Sequence, residues 1–153
     1  MTPEAPLVAI VGRPNVGKSA LFNRLTRSRR ALVERLPGTT RDRQYGVCRW
    51  RGREFRVVDT GGLEGPEDDP FDTPIREQVG QALAEAALLL FVVDASNALT
   101  AADHAIAGQL RRSGRPAIVV ANKGDRREAR ANVHEAHALG LGDPLLILSL
   151  IHI

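Results

Sequence analysis

"LVAIVGRPNVGKSALFNRLT", residues 7 to 26, holds a strand, a turn and a helix in an order that leaves few folds open. Leu7 to Val11 form a continuous apolar run closed by a glycine, the pattern of a strand buried on both faces. Residues 12 to 19, GRPNVGKS, satisfy the spacing glycine, four residues, glycine, lysine, serine. Leu21, Phe22 and Leu25 follow at the three-and-four spacing of an amphipathic helix from about Gly17 to Thr26. Such a turn lets main-chain amides around Asn15 to Lys18 face phosphate oxygens at the positive end of the helix. Lys18 is then expected to reach the terminal phosphates, and Ser19 to offer its hydroxyl to Mg2+. A glycine-rich turn that binds nothing is the competing reading, and the strand and helix flanking this one weigh against it.

Further along, "QYGVCRW" and "REFRVVD", separated by Arg51 and Gly52, predict a hairpin whose second strand ends at Asp59. A helix over "IREQVGQALAEAA" and a buried strand "LLLFVVD" come next. A helix capped by Thr100 and stopped at Gly114 and a second buried strand "PAIVVAN" follow, and then a helix near Glu128 to Leu139 and a strand at "PLLIL". Strands alternating with helices imply an α/β fold. Its sheet is mostly parallel with helices on both faces, and the hairpin contributes one antiparallel strand at the edge. The long segment after the first helix is weakly patterned and reads as a loop.

Ligands of such sheets sit at the carboxyl ends of the strands. "NKGD", Asn122 to Asp125, falls there, and the Asp125 carboxylate can accept the ring amide and exocyclic amine hydrogens of guanine. Adenine would leave that acid desolvated and unpaired. "DTGG", Asp59 to Gly62, falls there too. Asp59 is placed to hold Mg2+ through a water, and the Gly62 amide to meet the last phosphate of a triphosphate. In "PGTTRD", residues 37 to 42, Thr40 could complete the metal shell and form a loop ordered by phosphate and metal. Leu63 stands where many signalling GTPases carry a glutamine that orients the attacking water. An ATP-using kinase is the alternative that "NKGD" disfavours.

Taken together, "GRPNVGKSALFNRL", "ALVERLPGTTRDR", "DTGGLEG", "FVVDASNALTAADHAIAGQLR", "VANKGD" and "LGLGDP" resemble the translation-factor-related small GTPases. Within them they resemble the first G domain of the Der (EngA) family of tandem GTPases. The resemblance runs from about Leu7 to Ile147. It implies a P-loop G domain that hydrolyses GTP to GDP and phosphate, in a protein serving maturation of the large ribosomal subunit and contacting that subunit or its RNA. It carries nucleotide binding onto Gly12, Arg13, Pro14, Asn15, Val16, Gly17, Lys18, Ser19, Asp59, Thr60, Gly61, Gly62, Leu63, Asn122, Lys123, Gly124 and Asp125. Mg2+ falls on Ser19, Thr40 and Asp59, K+ on Asn15, and catalytic roles on Lys18, Thr40 and Gly62. A GTP-gated binding module with negligible turnover and an inactive gene fragment are the alternatives.

The resemblance also implies a guanine-loop signature and a final helix after Ile147, where the chain instead reads "LSLIHI". CTGTCTCTTATACACATC encodes those six residues and resembles a transposase end used in library preparation. Residues 1 to 147 are accordingly expected to form a G domain incomplete at its C-terminus, and residues 148 to 153 a non-native read-through tail.

Composition narrows the rest. The 153 residues, 43% apolar, suit one domain with a buried core. Nineteen of the 21 basic residues are arginine, eleven of them between Arg24 and Arg56, and an acidic stretch, Glu64 to Asp72, follows. Such an excess favours a polyanion, although a solvated face serves equally well as a reading. Cys48 is the sole cysteine, so no internal disulfide forms, and His104, His134, His137 and His152 lack metal spacing. No apolar run of about eighteen residues occurs; no membrane partner and a cytoplasmic location are expected.

Overall fold

A computed structural model describes residues 5–13, 16–26, 32–35, 42–50, 52–59, 73–123, 132, 135–136, 139–142 and 145–146. Within them lie β1 (Leu7–Val11), α1 (Lys18–Thr26), β2 (Leu32–Arg35), β3 (Asp42–Trp50), β4 (Arg53–Asp59) and α2 (Thr73–Glu85). After these come β5 (Leu88–Asp94), α3 (Ala101–Ser113), β6 (Ala117–Asn122) and β7 (Leu145–Leu146). The strands form one sheet in the order β2-β3-β4-β1-β5-β6-β7. β1 runs parallel to β4 and β5, as do β5 to β6 and β6 to β7. β3 is antiparallel to both β2 and β4, so it alone runs against the rest.

Alternation along the strands divides the core between two faces. Leu7, Ala9 and Val11 of β1 and Leu89, Phe91 and Val93 of β5 pack with Val79 and Ala82 of α2 and Ile106, Ala107 and Leu110 of α3. Ile10, Val57, Val92 and Val120 form a second cluster with Phe22 of α1, against which Leu21 and Leu25 also pack. The apolar stripe expected of α1 is therefore the face that it buries. Gly46 of β3 lies close beneath this helix; a Cβ there would stand 2.4 Å from the Thr26 methyl and 3.2 Å from Phe22 Cζ.

α3 has the ends that its sequence advertises. Thr100 caps it at φ −94° and ψ 170°, and Gly114 closes it in the left-handed region at φ 68°. Asp103 completes a capping box, its carboxylate accepting from the Thr100 amide while its own amide donates to the Thr100 hydroxyl.

Three expectations are corrected. Residues 32 to 35 are a strand and not loop, because β2 pairs with β3 from Leu32↔Tyr45 to Arg35↔Asp42; this makes β2 the edge and moves the hairpin one place inward. Four residues are too few to show a period of two, so the segment carried no signal of its own. β3 starts at Asp42, two residues earlier than expected, because β2 gives its first residues a partner. α2 runs from Thr73 to Glu85, two residues ahead of the expected span at each end.

Candidate nucleotide-binding site

Four strands bring chemistry to the same sheet edge: β1 ends at Val11, directly before Gly12, β4 at Asp59, β5 at Asp94 and β6 at Asn122. Register holds them level, with Ile10 opposite Asp59 and Asp94 opposite Asn122. Gly12 has φ +153°, and a Cβ on it would stand 2.7 Å from the Val92 carbonyl, so only glycine lets the chain leave β1 this close to β5. Gly17, at φ +106°, turns the chain into α1.

Lys18 then folds back over the turn: its Nζ donates to the Gly12 carbonyl at 2.6 Å, and the residue is buried. Ser19 Oγ donates to Asp59 Oδ2 at 3.1 Å, joining the start of α1 to the end of β4. A hydroxyl and a carboxylate are hard oxygen donors, the kind that Mg2+ takes, so both residues fit a magnesium site. Among the described residues no cluster of three His, Cys, Asp or Glu side chains could hold a metal.

The opposite side of the site is built by β6. Buried Asn122 donates from Nδ2 to the Val16 carbonyl at 3.0 Å, across 106 residues of sequence. Its Oδ1 accepts from the Lys123 amide at 2.8 Å. Lys123 adopts φ +65°, which a non-glycine residue holds only when its surroundings enforce it. Its Nζ pairs with Asp94 Oδ2 at 3.2 Å. Burial raises the Asp94 pKa, but hydrogen bonds from the Ser96 hydroxyl and amide and the Lys123 ammonium outweigh it, and the carboxyl lies below its ordinary value.

Of the residues expected at the site, Gly12, Val16, Gly17, Lys18, Ser19, Asp59, Asn122 and Lys123 are brought together. The Arg13 side chain turns instead to Asp103 of α3, at 3.2 Å. Pro14, Asn15, Thr40, Thr60, Gly61, Gly62, Leu63, Gly124 and Asp125 lie outside the described residues, as do His134, His137 and residues 147 to 153. Asp94 and Asp103 were not anticipated. Asp94 had a visible signal, a carboxylate ending a buried strand as Asp59 ends another, and Thr100-x-x-Asp103 is a capping-box spacing.

The arrangement joins a glycine turn at a helix start, a lysine folded over it, a serine–aspartate pair and the end of β6 hydrogen-bonded to that turn. Comparison with known proteins agrees. The chain is 57% identical over 144 residues to GTPase Der of Phocaeicola vulgatus, covering 94% of this chain and 33% of that protein. It is 53% identical over 142 residues to GTPase Der of Moorella thermoacetica, covering 93% and 32%. It thus spans about a third of the length of these curated relatives. Among solved structures, an Aquifex aeolicus Era variant bound to GDP and AlF4− superposes with a TM-score of 0.73 at 30% identity, covering 97% of this chain and 52% of that one. Era in complex with MgGDPNP and nucleotides 1506–1542 of 16S ribosomal RNA gives 0.73 at 32% identity, with the same coverage. The signature of the family described as 50S ribosome-binding GTPase spans residues 7–123, and the chain belongs to that family.

Proposed function

We propose that this G domain binds GTP with Mg2+ and hydrolyses it to GDP and phosphate, within a protein whose partner is the large ribosomal subunit. The observation that supports the reading is the buried Asn122–Val16 hydrogen bond, which ties the end of β6 to the glycine turn ahead of α1. Main-chain amides of that turn and the Lys18 ammonium bind the phosphates and balance the charge that develops as water attacks the last phosphorus and its bond to the bridging oxygen breaks. Ser19 and Asp59, with Thr40, would hold Mg2+, which supplies further charge neutralisation when bound. Asp125 selects guanine. Asn15 would hold a K+ ion, which would supply positive charge that an arginine from a partner could otherwise bring.

Leu63 cannot hydrogen-bond a water, which favours slow turnover by the domain alone and a GTP-gated binding role between turnovers. Binding of fluorescent GTP, GDP and ATP analogues in Mg2+, followed by single-turnover hydrolysis with and without 50S subunits, tests the reading. Guanine-selective binding and hydrolysis stimulated by 50S subunits or K+ are expected; equal binding of ATP would overturn it. Asp125→Asn is expected to move preference to xanthine nucleotides, and an unchanged preference for GTP would remove Asp125 from its role.

A further inference from the structure

Among the described residues, side chains tie the phosphate-binding turn down at Gly12, at Val16 and through Arg13. Lys18 holds the Gly12 carbonyl and Asn122 holds the Val16 carbonyl. The third tie leaves the site: Arg13 Nε donates to Asp103 Oδ2 across 90 residues, reaching the first turn of α3. Asp103 is fully buried, and the Arg13 side chain is only 19% exposed. The same Oδ2 accepts from the Thr100 amide at 2.9 Å and its hydroxyl at 3.2 Å, while Oδ1 is buried with no hydrogen-bond partner among the described residues. A capping box needs one acceptor, which serine or asparagine could supply at the surface. A carboxylate taken out of water with half its capacity unused is costly unless a cation sits beside it, and here that cation comes from the phosphate-binding turn.

We propose that Arg13 is a positioning residue for nucleotide binding: its guanidinium clamps the phosphate turn to α3 through Asp103, setting the amides of the turn without touching the nucleotide. The role rests on reading the site as a GTP site. Because Arg13 follows the sterically constrained Gly12 directly, holding its side chain fixes the direction in which the chain enters the turn.

The test measures affinity for a fluorescent GDP analogue, per folded molecule, for the full chain and for Arg13→Gln, Asp103→Asn, the double variant and Arg13→Lys, with thermal melts giving the folded fraction. Each of the first two is expected to bind about tenfold more weakly. The double variant should be no more than about threefold weaker than either single, since both break one contact. Arg13→Lys, which keeps a charge within reach of the carboxylate, should stay within about threefold of the parent. Weak binding by Arg13→Gln with unchanged or tighter binding by Asp103→Asn would mean that Arg13 touches phosphate. Lowered melting with unchanged affinity would make the pair merely structural, and additive losses would separate the two residues; each of these overturns the proposal. Absence of binding by the parent chain would overturn the proposed function and this role with it, an outcome distinct from failure of the variants alone. Should Asp103→Asn unfold, NMR of the parent decides: the Arg13 Nε–H resonance, assigned by its loss in Arg13→Lys, is expected to stay in place on GDP addition, and a large shift would refute the clamp.

Discussion

Replacing Gly46 by alanine tests how α1, which carries Lys18 and Ser19, is seated on the sheet. The new methyl would stand 2.4 Å from Thr26 Cγ2, 3.0 Å from Thr26 Cβ and 3.2 Å from Phe22 Cζ. Thr26 cannot swing its methyl away cheaply: the residue is buried and its hydroxyl is held by the Phe22 carbonyl at 2.8 Å. Overpacking of this kind costs about 1–3 kcal/mol, and contact this short with a short side chain belongs in the upper half of that range. Losing a glycine from a strand returns about 0.5–1 kcal/mol. The net is a loss of about 2 kcal/mol, or a fall of about 4–8 °C in Tm for a chain of this size. Thr26→Ser deletes the offending methyl and keeps the hydroxyl. In a double-mutant cycle followed by thermal and urea unfolding, the double variant should be at least as stable as Gly46→Ala, with a coupling of about 1–2 kcal/mol. A Gly46→Ala chain melting at or above the parent, or strictly additive effects, would refute the packing argument.

Asn122→Ala leaves the buried Val16 carbonyl unsatisfied, a cost of about 1–3 kcal/mol, and guanine-nucleotide affinity should fall by about 5- to 150-fold in fluorescence titration. Thr100→Val removes the α3 cap and should cost about 1 kcal/mol, or about 2–4 °C in a thermal melt. Asp94 has a lowered pKa in the fold, so its contribution is fully present above the unfolded carboxylate value of about 3.9 and is lost as pH falls through the lower folded value. Asp94→Asn should accordingly flatten the loss of urea stability as pH falls below about 4, and an unchanged acid slope would show that the carboxylate is not stabilised by its neighbours.

What could be read from the sequence follows from how local its physics is. β1, the phosphate turn and α1 were legible because a doubly buried strand, a glycine pair and a helical stripe each fit in a short window, and Thr100 and Gly114 mark the ends of α3 by the chemistry of single positions. β2 was not legible: its four residues become a strand only through β3. Arg13 stands at a nucleotide-binding place in the motif, yet its side chain answers to a carboxylate 90 residues away that no local pattern connects to it. Asp94 likewise gains its importance from Lys123, which reaches it from the next strand. Local signals place the elements and the loops, whereas the pairing of charges across the sheet edge depends on the finished topology.

The position of β1 at the centre of the sheet also bears on how the chain is made. Val8 pairs with Leu88, and β4, its other neighbour, is itself complete only at Asp59. At synthesis rates of about 5–20 residues per second, the 80 positions from residue 8 to residue 88 take about 4–16 s. For that interval the most apolar strand of the domain has left the ribosome without either flanking partner for part of the time and without the second for all of it. Condensation of the core therefore waits on β5, and the nascent segment LVAIV is the stretch most exposed to chaperones or to self-association before then.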